Sequence, residues 1–203
     1  ERLVGVPAVS PSGAFHGDFV ADEPPGGRKG YLVRLARALV GGQKLVVVTG
    51  VGGIGKTALA AATVRRVAWH YPGGVFWVDG RDYLETGMGL EHALSVFADE
   101  FGDDFLKLPV RRQRELALGY LRRIDGRALV VVDNADVADE GVWRFLRAVP
   151  KPSAALVTTR TAPEYGAYVV DVAAMTPREG LTFLVGEIGT EPYVADARLT
   201  LEK

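Results

Sequence analysis

Eight consecutive residues, Gly50-Val51-Gly52-Gly53-Ile54-Gly55-Lys56-Thr57, combine backbone freedom, a flexible cation and a hydroxyl. Their spacing is G-x-x-x-x-G-K-[ST], the phosphate-binding P-loop pattern. Each residue type has a task in holding a polyphosphate. Glycines let the chain curl closely, so that successive N–H groups point inward as an anion nest. Gly50, Gly52, Gly53, Ile54 and Gly55 are expected to supply that nest. The N–H groups continue through Lys56, Thr57 and Ala58 into a helix whose positive dipole end favours the anion. Lys56 is expected to reach the β- and γ-phosphates from an open site, and the Thr57 hydroxyl to ligate Mg²⁺. The chain should therefore bind a nucleoside phosphate.

A second set of polar residues follows apolar runs. Leu129-Val130-Val131-Val132 ends on Asp133, the Walker B pattern, in which a buried strand delivers one carboxylate to the metal. Thr57 and Asp133 are the expected metal residues. Hydrolysis also needs a group that orients or deprotonates the attacking water. The residue after Asp133 is Asn134, whose amide can orient water but cannot take its proton. Asp136 is the nearest remaining carboxylate and the candidate to act on that water at a distance, which makes Asp133, Asp136 and Arg160 the candidate catalytic residues. Slow turnover is the expectation, and an acid restored at position 134 is expected to speed it. Arg160 follows Thr158-Thr159 at the end of another apolar run. It has two readings: a guanidinium that pairs with the γ-phosphate, or half of a surface ion pair.

These groups need elements to bring them together. Leu45–Val48 and Ala58–Ala62 read as the strand and helix on either side of the P-loop. A helix precedes them over residues 30–40, with Leu32, Leu35, Ala36 and Leu39 on one face. Further strands are expected at Val75–Asp79, Ala128–Val132, Ala154–Thr159 and Tyr168–Asp171. Helices are expected over 88–101, 110–124 and 139–147. A last one opens at Pro177, with Thr176 as its N-cap, and runs to about 188. Apolar strands alternating with helices imply a parallel sheet covered on both faces. Ligands in such sheets sit at the carboxyl ends of the strands, where the P-loop, Asp133 and Arg160 all fall.

Bulk properties restrict the partners. The 203 residues carry 24 basic and 25 acidic side chains, a net charge of −1. No anionic surface is implied as the main partner, and nucleic acid is not expected. The arginines Arg111, Arg112, Arg114, Arg122, Arg123 and Arg127 read as the solvated side of an amphipathic helix. No apolar run approaches the ~18 residues of a membrane helix, so no membrane partner is expected. The absence of cysteine agrees with a reducing cytoplasm. His16, His70 and His92 lack ligand-like spacing and read as surface or packing residues. Glu1 in first position is read as the start of a piece of a longer protein.

Four motifs in order now carry a resemblance: Gly50–Thr57, Val75–Asp79, Leu129–Asp136 and Ala155–Arg160. Together they resemble the nucleotide-binding domain of NB-ARC proteins, in the STAND class of signal-transduction P-loop NTPases. Pro25-Gly26-Gly27-Arg28 resembles the family's hydrophobic-Gly-Arg element, which implies adenine contacts at Gly26, Gly27 and Arg28. Gly26 stands where a larger apolar residue is usual, and Lys29 where Glu is common. Pro177–Leu184 resembles the segment that opens a small helical subdomain. The resemblance implies a five-stranded parallel sheet of order 5-1-4-3-2 in a three-layer α/β fold. It implies residues 1–23 as a linker or irregular segment, 24–173 as the nucleotide-binding domain and 174–203 as the start of the helical subdomain. It also implies ATP or ADP with Mg²⁺, covalently linked effector and sensor domains elsewhere, and nucleotide-dependent self-association. The family's later Gly-x-Pro motif is not recognisable before Lys203.

The leading expectation is a regulatory switch that binds ADP or ATP and turns over slowly. An AAA+-type motor or loader is the alternative, weakened by Asn134. A small-molecule kinase is disfavoured, because no arginine-rich lid insertion follows strand three or four.

Overall fold

The computed structural model describes residues 28–181 apart from Leu84, Glu85, Glu164, Tyr165 and Arg178. Five strands form one parallel sheet: β1 (Leu45–Thr49), β2 (Val75–Asp79), β3 (Leu129–Asp133), β4 (Ala154–Thr158) and β5 (Tyr168–Asp171). Their spatial order is β2-β3-β4-β1-β5, so β4 separates the P-loop strand from the strand carrying Asp133. This is the expected 5-1-4-3-2 order.

Period-two alternation divides the apolar residues between two cores. Val47, Phe76, Val78, Val130, Val132, Ala155 and Val157 face one side. Val46, Val48, Leu129, Val131, Leu156 and Val170 face the other. With both faces covered, β1, β3 and β4 are buried at every residue, which is why they read as unbroken apolar runs. Helices α1 (Lys29–Val40) and α2 (Lys56–Val67) cover the second face through Leu32, Leu35, Leu39, Leu59 and Val64. The first face is covered by α3 (Leu90–Leu94), α4 (Ala98–Phe101), α5 (Val110–Arg123) and α6 (Glu140–Ala148). The three-layer α/β fold follows.

The continuous helix expected over 88–101 is not found. Its span is divided into α3, a 3₁₀ turn at Ser95–Phe97 and α4. Phe97 is fully buried, with its ring stacked 4.6 Å from that of Phe76, and Phe101 stacks on Phe105 at 4.9 Å. This aromatic layer, rather than local helix propensity, sets the path of the chain.

The helix expected from Pro177 is described only at its start. Thr176 and Glu179 form a reciprocal cap: Glu179 N donates to Thr176 Oγ1 at 3.2 Å, and Thr176 N donates to Glu179 Oε2 at 2.7 Å. Residues 1–27 and 182–203, including Gly26, Gly27 and His16, lie outside the described residues.

Candidate nucleotide site

The five strands end side by side on Thr49, Asp79, Asp133, Thr158 and Asp171. Parallel register puts Asp79 beside Asp133 and Thr49 beside Asp171. A row of oxygen-bearing side chains thus lines one edge of the sheet, and the P-loop leaves β1 at that edge.

The loop's path depends on glycine. Gly50 has φ +144°, and a Cβ there would lie 2.7 Å from the Val172 carbonyl oxygen. Gly53 and Gly55 also take positive φ, and Gly55 is the residue from which α2 starts. Lys56 is 7% exposed, and its ammonium donates to the carbonyls of Gly50 (2.8 Å) and Val51 (3.0 Å). The expected open position is therefore corrected. The lysine folds back onto its own loop, where its ammonium satisfies two backbone carbonyls that have left the strand ladder. An ammonium has three N–H groups, so one donor direction remains beyond these two bonds.

Asp133 is fully buried and takes donors at both oxygens. Thr57 Oγ1 donates to Oδ1 at 3.0 Å, Thr158 Oγ1 donates to the same atom, and Asn134 Nδ2 donates to Oδ2 at 3.0 Å. A buried carboxylate needs such compensation. Thr57 and Asp133, the two expected metal residues, are thus in direct contact. Mg²⁺ takes oxygen ligands about 2.1 Å away in octahedral geometry, which puts adjacent ligand atoms about 3 Å apart. The Thr57–Asp133 pair has that spacing and that donor chemistry. Among the described residues, no cluster of three His, Cys, Asp or Glu side chains could hold a metal ion. An ion here would draw its other ligands from phosphate and water.

Asn134 sits in left-handed backbone conformation, φ 57° and ψ 48°. Its amide is committed: Nδ2 donates to Asp133 and also to Asp79 Oδ1 at 3.3 Å. Its backbone N–H donates to Thr158 Oγ1 at 2.9 Å. Asp136 reaches the end of β4 instead, where its Oδ1 accepts from Thr159 Oγ1 (2.9 Å) and from the Arg160 backbone N–H. Arg160 Nε lies 3.4 Å from Asp136 Oδ2, and its Nη2 would be 3.9 Å from a Cβ at Gly52. The guanidinium is therefore in an ion pair and beside the P-loop at once.

Arg28 is 4% exposed, far from the surface role an arginine usually has. It donates through Nη1 to Ala173 O (2.7 Å) and through Nη2 to Ile54 O (3.3 Å), while its charge lies over the Tyr31 ring. The side chain fastens the start of α1 to the P-loop and to the segment after β5. His70 contacts Arg127, and burial followed by that positive charge holds its imidazole below the ordinary range. His92 packs its ring against Tyr83. Arg111 and Arg112 of the basic helix pair with Glu115.

A profile of the NB-ARC domain matches residues 28–185. The chain belongs to the NB-ARC family. This NB-ARC domain, a nucleotide-binding domain, is 30% identical over 183 residues to "Regulatory protein AfsR" of Streptomyces griseus. That match covers 87% of the chain but 18% of the relative, so the chain spans under a fifth of that protein. Among solved structures, the Aeropyrum pernix ORC1 protein in complex with DNA superposes with TM-score 0.68 at 20% identity, over 92% of this chain and 57% of that one. A STAND protein with a tetratricopeptide repeat sensor from Pyrococcus horikoshii gives TM-score 0.54 at 18% identity, over 82% and 26%. At such identities the two structures share the fold.

Two participants in the NB-ARC site escaped the sequence reading: Asp79 and Thr158. Asp79 ends its strand as expected, and that position was its available signal; Thr158 ends β4 one residue before the expected Thr159.

Proposed function

We propose that this NB-ARC domain is an ADP/ATP-dependent regulatory switch with slow hydrolysis, in which Thr57 and Asp133 are the residues that would hold Mg²⁺. One observation carries the reading. The Asn134 amide is bonded to two carboxylates, so the position that follows Asp133 offers no ionised base to an attacking water. The P-loop nest and the remaining Lys56 donor direction bind the polyphosphate. Arg160, beside Gly52, contacts the γ-phosphate and registers its presence. The backbone around Gly26, Gly27 and Arg28 contacts the adenine, and the Thr176–Glu179 cap opens the small helical subdomain. In the full-length protein, linked effector and sensor domains read the nucleotide state, which also governs self-association. The setting is cytoplasmic, and nucleic acid is not the partner. No helix among the described residues is long and apolar enough to cross a membrane.

Steady-state ATPase assays, with and without duplex DNA, test the reading. Turnover well below ~1 s⁻¹, the low end of typical enzymes, is expected in both. Several turnovers per second, or strong stimulation by DNA, would favour the AAA+-type motor. Asp133→Asn tests the metal: it should weaken Mg·ATP more than metal-free ADP, as read by calorimetry. Equal losses would make Asp133 a purely structural residue.

A further inference from the structure

Asp136 is the link between the end of β3 and the arginine after β4. It lies on the 3₁₀ turn Ala135–Val137, which directly follows Asp133 and Asn134. Its two oxygens have different tasks. Oδ1 is held by Thr159 Oγ1 and by the Arg160 backbone N–H, which fixes the carboxylate against the β4 terminus. Oδ2 faces Arg160 Nε at 3.4 Å. The Arg160 side chain is 67% exposed and that of Asp136 22%, so the pair adds little to folding. Its effect is on direction. A guanidinium is a rigid planar fork, so an ion pair on its Nε side favours rotamers that send the Nη groups the other way. Here Nη2 lies beside Gly52, and among the described residues neither Nη group donates to a protein acceptor.

We propose that Asp136 is a positioning residue: it aims Arg160 across the P-loop and so sets the preference of the site for triphosphate over diphosphate. The proposal rests on the reading of Arg160 as the γ-phosphate contact. Without the anchor, a long exposed side chain samples many rotamers, and ordering it on the ligand costs entropy. That cost falls only on a nucleotide that reaches Arg160. A diphosphate escapes it.

The test is calorimetry on the domain with Mg·ADP and with a non-hydrolysable ATP analogue. Asp136→Asn keeps an Oδ1 acceptor for Thr159 and Arg160 N, so the turn is retained, but removes the negative charge that faces Nε. The expected result is about a fivefold loss of analogue affinity, near the upper end for an exposed ion pair, with ADP changed less than about twofold. Arg160→Ala should show the same selective loss, and the double variant should lose no more than Arg160→Ala alone. Arg160→Lys, which keeps the charge without the fork, should also lose analogue affinity selectively. If Asp136→Asn weakens both nucleotides equally, or neither, the positioning role is overturned. If Arg160→Ala is selective while Asp136→Asn is not, only this proposal falls. If Arg160→Ala leaves the analogue unaffected, the γ-phosphate reading falls and takes this proposal with it.

Discussion

Asn134 and Asp79 stand at the ends of neighbouring parallel strands and are joined by a hydrogen bond of 3.3 Å from Nδ2 to Oδ1. The same Nδ2 serves Asp133, so one amide holds two carboxylates together. An amide can do this because it offers two N–H donors, and a carboxylate offers none. This changes what a substitution at the position does. On sequence grounds, Asn134→Asp restores an acid beside the metal residue and speeds hydrolysis. In the folded protein it removes both hydrogen bonds and brings a third carboxylate against two others.

Asn134→Asp is therefore expected to lower stability by about 2 kcal/mol and to leave hydrolysis no faster. Denaturant unfolding and a single-turnover assay measure the two parts. A faster and equally stable variant would show that the amide bridge does not govern this position.

Lys56→Ala should weaken ADP binding by about 2 kcal/mol or more, since it removes charge-assisted bonds to phosphate. The folded lysine adds a second effect. With its donor gone, the Gly50 and Val51 carbonyls lose their partner, so the unliganded variant should also melt at a lower temperature. Calorimetry and thermal melting separate the two, and unchanged ADP affinity would remove the P-loop assignment.

Gly80 follows β2 where the chain end of β3 passes closely. A Cβ there would collide with the Asn134 carbonyl oxygen and lie 3.0 Å from that of Asp133. Both obstacles are backbone, so a side chain cannot simply rotate away. Gly80→Ala should cost about 1–3 kcal/mol, the range for overpacked sites, and displace the Asp133–Asn134 segment. Urea unfolding gives the cost; a midpoint like the wild type would mean that the strands separate freely.

Hydrogen bonds from the Thr176 backbone and hydroxyl hold the Glu179 carboxyl below the ordinary glutamate range. A folded-state value below the unfolded one means that this cap contributes above the unfolded value of 4.5 and is lost as pH falls through the folded value. NMR titration should therefore find Glu179 more acidic than a free glutamate. Thr176→Val, which removes the hydroxyl bond, should bring it part of the way back. An ordinary value in the unaltered chain would mean that the cap does not persist in solution.

The P-loop, the apolar strands and the strand–helix alternation were legible in the sequence because each is a local pattern. Glycine spacing, unbroken apolar runs and an aspartate at a strand end need only neighbours along the chain to declare themselves. From these, the parallel sheet and the edge that bears the candidate site followed. The strand order came from the family resemblance, since a β-branched run does not state which run it pairs with. Contacts across that order were decided only in three dimensions. Placing β4 between β1 and β3 brings Thr158 onto Asp133, and pairing β2 with β3 brings Asp79 onto Asn134. The break of the helix expected over 88–101 has the same origin, because the Phe97–Phe76 stack joins residues distant in sequence. Residue type and spacing named the groups that meet phosphate. Packing between strands decided which of them are already bonded to one another, and so which remain for the nucleotide.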